Sequence, residues 1–181
     1  NINSVSARRP PGFAHVLARN VADQLDVRTD QAEDVAAQMH AAERSFNQPL
    51  NKWNVSKVID MYSMFEGARS FNQPLNNWNV SNVTNMIHMF DGAESFNQPL
   101  NNWNVSKVRN MEDMFRNASS FNQPLNNWNV SNVTVIGAMF CEASSFNQPL
   151  NDWDVSNVDH MYVFDGATSF NQPLHAPWYR E

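Results

Sequence analysis

The chain of 181 residues is poor in cysteine, in charge and in long apolar runs. Its one cysteine, Cys141, excludes an intrachain disulfide. No run of about 18 apolar residues occurs, so no transmembrane segment is expected. Charged residues make up only 17% of the chain, and its net charge is −6. Because no basic patch is present, neither nucleic acid nor an anionic lipid surface is an expected partner.

What the chain has instead is repetition. The string Ser-Phe-Asn-Gln-Pro-Leu-Asn recurs every 25 residues, and a sixth copy, with His175 in place of the final Asn, follows after 24. Two aromatic ladders result, one of phenylalanine and one of tryptophan: Phe46, Phe71, Phe96, Phe121, Phe146 and Phe170, and Trp53, Trp78, Trp103, Trp128 and Trp153. A fixed period of this length is typical of repeat proteins, in which a unit buries its apolar side chains only against its neighbours.

Within each repeat the pattern changes period. A short strand is predicted at residues 50–53, entered through an extended corner at Pro49. A helix of two to three turns is predicted to follow, because apolar residues recur at spacings of three and four: Val58, Met61, Met64, Phe65 and Ala68. Serines stand where N-caps are expected, namely Ser56, Ser81, Ser106, Ser131 and Ser156, and glycines where helices should end, namely Gly67, Gly92 and Gly166. The predicted fold class is an α/β solenoid, a leucine-rich-repeat-like stack of five strand–turn–helix coils.

Three segments are predicted along the chain. Residues 1–45 form an extended leader and a two-helix cap, residues 46–174 the repeat solenoid, and residues 175–181 a C-terminal tail. The cap is expected to cover the open apolar end of the first coil. A start at Asn1 rather than at methionine leaves open that an upstream signal or targeting segment was removed.

The unit Phe-Asn-Gln-Pro-Leu-Asn-x-Trp-x-Val-Ser-x-Val-x-x-Met-x-x-Met-Phe resembles the BspA-like surface-protein repeat, also described as the mycoplasma lipoprotein repeat of unknown function. The resemblance covers residues 46–174. It implies a variant of the leucine-rich repeat, a secreted or cell-surface location, a role in adhesion or protein interaction, and no catalytic residues. The helical leader departs from this pattern, and the chain has no lipoprotein cysteine.

Several ladders invite a functional reading beside a structural one. The tryptophans could stack on carbohydrate, and the methionine pairs (Met61/Met64, Met86/Met89 and Met111/Met114) could bind soft metals; we favour core packing for both. Asparagine columns that begin at Asn47 and Asn51 could bind ice, sugar or ions, but an amide ladder between coils is favoured. The sequons Asn54-Val-Ser56, Asn79-Val-Ser81, Asn104-Val-Ser106 and Asn129-Val-Ser131 fit turn chemistry better than glycosylation.

No constellation for catalysis, cofactor binding or metal binding is predicted. The only histidines in adjacent columns, His88 and His160, are expected about 14 Å apart, too far to share a metal ion. Cys141 lies in a variable column with no histidine near it, so a nucleophilic role is not expected.

The predicted function is a non-catalytic repeat scaffold for protein–protein interaction, cell-surface binding or a structural subunit of a larger assembly. A protein partner or neighbouring subunits are expected. The positions that vary between coils are assigned to the helical side, so the constant strand side or a flank should present the binding surface. The alternative is a glycan- or ice-binding array.

Overall fold

The computed structural model describes residues 43–158 and 162–172. Regular secondary structure in these residues is limited to one 3₁₀ helix, Glu43–Ser45, and isolated parallel bridges. The bridges join Asp60 to Asn85, Asn85 to Asn110, and Asn110 to Val135. The helical leader predicted up to residue 45 lies outside the described residues except for 43–45, and the tail of residues 175–181 lies outside them entirely.

The described chain is a stack of repeats in register. We number the repeats 1 to 5 from their first phenylalanine, so that they begin at Phe46, Phe71, Phe96, Phe121 and Phe146; Phe170 begins an incomplete sixth. A column is the set of residues at one position in successive repeats, and it takes the name of its member in repeat 1.

The predicted α/β solenoid of strand–turn–helix coils is wrong for the described residues. Within the segment expected to be helical, residues 58–68, the chain from residue 61 onward is a series of overlapping turns: the amides of residues 64, 66 and 68 donate to the carbonyls three residues before them. The amides of residues 61, 63, 65 and 67 donate instead to carbonyls of repeat 2, at residues 85, 87, 89 and 91. Alternate amides therefore close a turn within the repeat or bind the next repeat, and an α-helical ladder does not form.

Two columns in this segment have a left-handed backbone, which a right-handed helix does not contain. In the Ser63 column φ lies between 51° and 58°: Ser63, His88, Asp113, Ala138 and Tyr162. In the Gly67 column it lies between 54° and 72°: Gly67, Gly92, Asn117, Glu142 and Gly166. The glycines predicted to end helices thus serve a left-handed position within the turns, where glycine has no steric penalty.

The predicted strand and the predicted N-cap are turns as well. The amide of Trp53 donates to the carbonyl of Leu50 at 3.0 Å, which closes a turn over residues 50–53. The amide of Ser56 donates to Oδ1 of Asn54 at 3.1 Å, an Asx turn that recurs in the later repeats. The sequon asparagine is therefore the acceptor of a turn, and the serine supplies the donor rather than a helix cap.

One apolar core runs through the stack. Successive rings of the Phe65 column lie nearly parallel, with centroids 5.2, 5.4, 5.6 and 5.7 Å apart. Rings of the Phe46 column lie 5.8 to 6.1 Å apart. Across each repeat boundary, a ring of the Phe65 column and the following ring of the Phe46 column have centroids 3.9 to 4.3 Å apart. Because each ring contacts rings of neighbouring repeats, the phenylalanines bind the repeats to one another.

Candidate functional site

The tryptophan column is internal. From Trp78 to Trp153 its members are at most 5% exposed. Each of these indoles donates from Nε1 to the leucine carbonyl of the preceding repeat at 2.9 to 3.0 Å, as Trp103 does to Leu75. Trp53 is partly buried against the same core. These rings are engaged in packing and hydrogen bonding, so they do not form an open platform for a sugar.

The phenylalanine and methionine ladders are buried too. Between Phe71 and Phe146 the Phe46 column is 0% exposed, while Phe46 and Phe170 are partly buried against the core. The methionine pairs of repeats 1 to 3 are also 0% exposed. No thioether of these pairs is therefore presented at the surface.

The Asn47 column forms an amide ladder between repeats. Oδ1 of Asn72 accepts the backbone amide of Asn97 at 3.0 Å and Nε2 of Gln98 at 3.1 Å, and the same pair of bonds recurs along the column. Two exposed or half-exposed hydroxyls, those of Thr84 and Thr134, likewise donate to carbonyls of the preceding repeat. The amide oxygens of this column are therefore already occupied by protein donors, and the two hydroxyls are engaged as donors.

Residues that differ between repeats lie in the segment whose backbone amides donate to the next repeat. We call this surface the variable face; it comprises the columns of residues 59, 60, 62, 63, 66, 67 and 69. Apart from Ser63, which is buried, its members are partly or fully exposed in the described residues. Elsewhere the exposed columns of Lys52 and Lys57 hold only Lys, Asn or Asp. Side-chain diversity is thus concentrated on one face.

The variable face is mainly acidic. In the described residues of repeats 1 to 5 it carries eight carboxylates against three arginines: Asp60, Glu66, Asp91, Glu94, Glu112, Asp113, Glu142 and Asp165, against Arg69, Arg109 and Arg116. Arg69 forms an exposed ion pair with Glu94 at 3.2 Å across the boundary of repeats 1 and 2. Such an exposed pair contributes little to stability, on the order of 0–1 kcal/mol.

A histidine between two carboxylates lies at the centre of this face. Nδ1 of His88 is 3.2 Å from Oδ2 of Asp91 in the same repeat and 3.7 Å from Oδ2 of Asp113 in repeat 3. The ring of Tyr62, in repeat 1, meets the imidazole edge-on at 5.9 Å. On the far side, Nη1 of Arg116 is 3.5 Å from Oδ1 of Asp113. The group therefore spans three consecutive repeats.

The surroundings of this group shift two pKa values. The hydrogen bond to Asp91 is the largest cause of a raised pKa for His88; burial opposes it, and the charges of Asp113, Asp91 and Glu66 add to it. Burial raises the pKa of Asp113, while His88 and Arg116 act in the opposite direction. A search for pairs of histidines alone does not find this contact, although a separation of 25 residues places His88 and Asp113 in one column.

Cys141 and His160 are the remaining reactive candidates. Cys141 is half-buried, and this burial is the main cause of a raised pKa for its thiol, which disfavours the reactive thiolate. His160 lies outside the described residues. Within residues 43–158 and 162–172, no three His, Cys, Asp or Glu side chains are arranged to hold a metal ion.

Fold and surface together define a repeat protein built from turns, with an aromatic core and a variable acidic face. The chain matches the profile of the family described as "Mycoplasma protein of unknown function, DUF285" over residues 17–118 and again over 98–179. The matches span most of the chain, so it belongs to this repeat family, whose function is unknown. No curated protein and no solved structure matches it. The predicted resemblance to a mycoplasma repeat of unknown function is confirmed by this match, whereas its BspA-like and leucine-rich-repeat-like parts are not.

In residues 43–158 and 162–172, no helix is long and apolar enough to cross a bilayer.

Proposed function

We propose that this chain is a non-catalytic scaffold that binds a protein partner through its variable face. The observation that carries the proposal is that the constant columns form the contacts between repeats, whereas the variable columns lie at the surface. Constant residues are used for contacts between repeats: indole to carbonyl, amide to amide, and ring to ring. Their constancy therefore needs no ligand to explain it, which favours the variable face over the constant side as the binding surface.

The chemistry of the variable face favours a partner surface rich in lysine or arginine. Eight carboxylates against three arginines make the face an attractive electrostatic target for a basic surface. A large apolar side chain also stands on this face, since Ile59 is 60% exposed. An apolar contact surrounded by charged groups is the usual composition of a protein interface.

The alternative function, a glycan- or ice-binding array, has weaker support. It needs regular amide and hydroxyl groups that are free to meet a ligand. Oδ1 of the Asn47 column accepts two protein donors, and the hydroxyls of Thr84 and Thr134 donate to backbone carbonyls. A glycan-array screen and a thermal-hysteresis assay with no signal would agree with this ranking.

Site-specific photocrosslinking tests the proposal. One variant carries p-benzoylphenylalanine in place of Ile59 on the variable face, and the matched variant carries it in place of the exposed, constant Pro99. Each is exposed to surface and soluble proteins from the organism that makes the chain. We expect a discrete crosslinked partner from Ile59 and none from Pro99, whereas equal crosslinking from both sites would overturn the proposal.

A repeat swap then separates the face from the stack. Arg109→Thr, Glu112→Gly and Asp113→Ala install the residues that repeat 4 uses at the same positions. Because these residue types already occur in the stack, the fold should be retained while the charge of repeat 3 changes. The partner identified by crosslinking should bind the swapped chain several-fold more weakly, and its affinity for the native chain should fall with added salt. Unchanged affinity would exclude the variable face.

A further inference from the structure

We propose that His88 is a proton-operated lock between repeats 2 and 3. When the imidazole is protonated, it is a cation held between the carboxylates of Asp91 and Asp113, and it joins the two repeats. When it is neutral, the attraction across the boundary is lost and the two repeats separate more readily. This inference does not depend on the proposed function.

The geometry assigns different roles to the two carboxylates. A distance of 3.2 Å from Nδ1 of His88 to Asp91 allows a hydrogen bond within repeat 2. A distance of 3.7 Å to Asp113 is an ion-pair contact across the boundary, and it is attractive only when the imidazole carries a charge. Proton binding at His88 is therefore linked to the contact between repeats.

The lock is an addition to the repeat rather than a part of it. Repeats 1 and 4 carry Ser63 and Ala138 at the position of His88, with the same left-handed backbone. The stack therefore forms without an imidazole or a carboxylate in this column. Only in repeats 2 and 3 do adjacent members of the column have opposite charge.

Carboxylates outnumber cations around the lock. Besides Asp113, the groups that face His88 or its partner come from repeats 1, 2 and 3: Tyr62, Glu66, Asp91, Glu112 and Arg116. Arg116 is the one permanent cation among them. Loss of the imidazolium therefore leaves several carboxylates in mutual repulsion at a partly buried boundary.

Both pKa shifts give the same sign of pH dependence. The folded-state pKa of His88 lies above its ordinary value of 6.5, so its contribution is fully present below 6.5 and is lost as pH rises through the folded-state value. The pKa of Asp113 also lies above its ordinary value of 3.8, so its ionisation too weakens the folded state as pH rises. The two windows are separate, and from about pH 6 upward His88 governs the change.

Opening of the lock should be local. Four backbone amides of repeat 2 donate to carbonyls of repeat 3: those of Met86, His88, Phe90 and Gly92, at 3.0, 3.0, 2.8 and 2.8 Å. After correction for the intrinsic effect of pH, their hydrogen exchange should accelerate on deprotonation of His88. The equivalent amides of repeat 1, which donate to repeat 2, should respond less.

The test combines a titration with matched variants. In the full chain, NMR titration of His88 should give a pKa above the ordinary value, and Asp91→Asn or Asp113→Ala should lower it. The melting temperature should fall between about pH 6 and about pH 8, and His88→Ser, the residue of repeat 1, should remove the part of that fall due to this site. Lys107→Asn is the control and should leave the pH profile unchanged.

Two results would overturn the lock. One is a His88→Ser chain whose melting temperature depends on pH just as the native chain does. The other is a His88 pKa that does not respond to Asp113→Ala, because the imidazole would then not sense the neighbouring repeat. The titration is made on the native chain, so the proposal remains testable even if a variant folds poorly.

Discussion

Substitution Phe96→Ala tests whether the aromatic columns hold the repeats together. The ring of Phe96 is 0% exposed, and its centroid lies 4.2 Å from that of Phe90, 5.9 Å from Phe71 and 6.0 Å from Phe121. Truncation removes all three ring contacts and leaves a cavity between repeats whose spacing is held by backbone hydrogen bonds. Buried Phe→Ala substitutions cost about 3–5 kcal/mol, and the lost ring pairs place this one near the upper end, about 4–5 kcal/mol.

Two further variants separate the causes. Phe96→Leu keeps much of the side-chain volume but loses ring stacking, so it should cost about 1–2 kcal/mol. Lys107→Asn removes an exposed hydrogen bond of 2.8 Å from Nζ to Oδ1 of Asn82, and it installs the residue that repeats 2 and 4 already carry. We expect it to change the free energy of unfolding by less than about 0.5 kcal/mol.

Urea unfolding, followed by tryptophan fluorescence and by circular dichroism, measures these effects. Coincident transitions from the two probes are needed before a single free energy is assigned, because repeat arrays can unfold in parts. If Phe96→Ala destabilises the chain no more than Lys107→Asn at an unchanged m value, the aromatic columns do not hold the repeats together. A loss for Phe96→Leu equal to that for Phe96→Ala would show that stacking, rather than volume, is the dominant contribution.

Three further substitutions test other contacts. Trp103→Phe should cost about 1–3 kcal/mol in urea unfolding, because the carbonyl of Leu75 loses a buried donor at 3.0 Å. Asn97→Ala should lower the melting temperature clearly more than Asn97→Asp, which keeps an acceptor for the amide of Asn122; equal losses would argue against the amide ladder. Glu142→Gly should gain about 1 kcal/mol by relieving a φ of 58°, whereas Glu142→Ala should gain nothing, as thermal melts would show.

The lock at His88 connects the surface to the stack. If a basic partner binds the variable face, its charge will act on the same carboxylates that hold the imidazole. Partner affinity and the pKa of His88 should then depend on one another, since two events that share a set of charges are linked. Measuring the partner's affinity above and below the His88 transition would reveal that linkage.

Membership of the core could be worked out from the sequence. Val58, Met61, Met64, Phe65 and Ala68 were placed on one apolar side by their spacing, and all are buried or partly buried. The reason is general: a side chain is buried where the chain faces the core, and apolar residues three and four positions apart indicate those positions. The 25-residue period likewise required neighbouring copies to share that core.

The local backbone could not be worked out in the same way. A helix and a chain of overlapping turns both return to the core every three to four residues, so the pattern that predicted a helix over residues 58–68 fits either one. Hydrogen bonds to carbonyls 24 residues away decide between the two. The amide of Phe65 donates to the carbonyl of Met89, not to a carbonyl in the turn before it. Only the stacked arrangement supplies those acceptors.

The same division holds for the surface. Period and composition alone identified the aromatic ladders and the shortage of basic charge. They also placed the varied positions on one side of the stack. They did not reveal that the backbone of this side bonds to the next repeat, nor that His88 and Asp113 meet there, because contacts between repeats arise only when the copies lie in register. Apolar spacing is a property of a single copy and can be read along the chain, whereas hydrogen-bond partners and charge pairs belong to two copies and exist only in the stack.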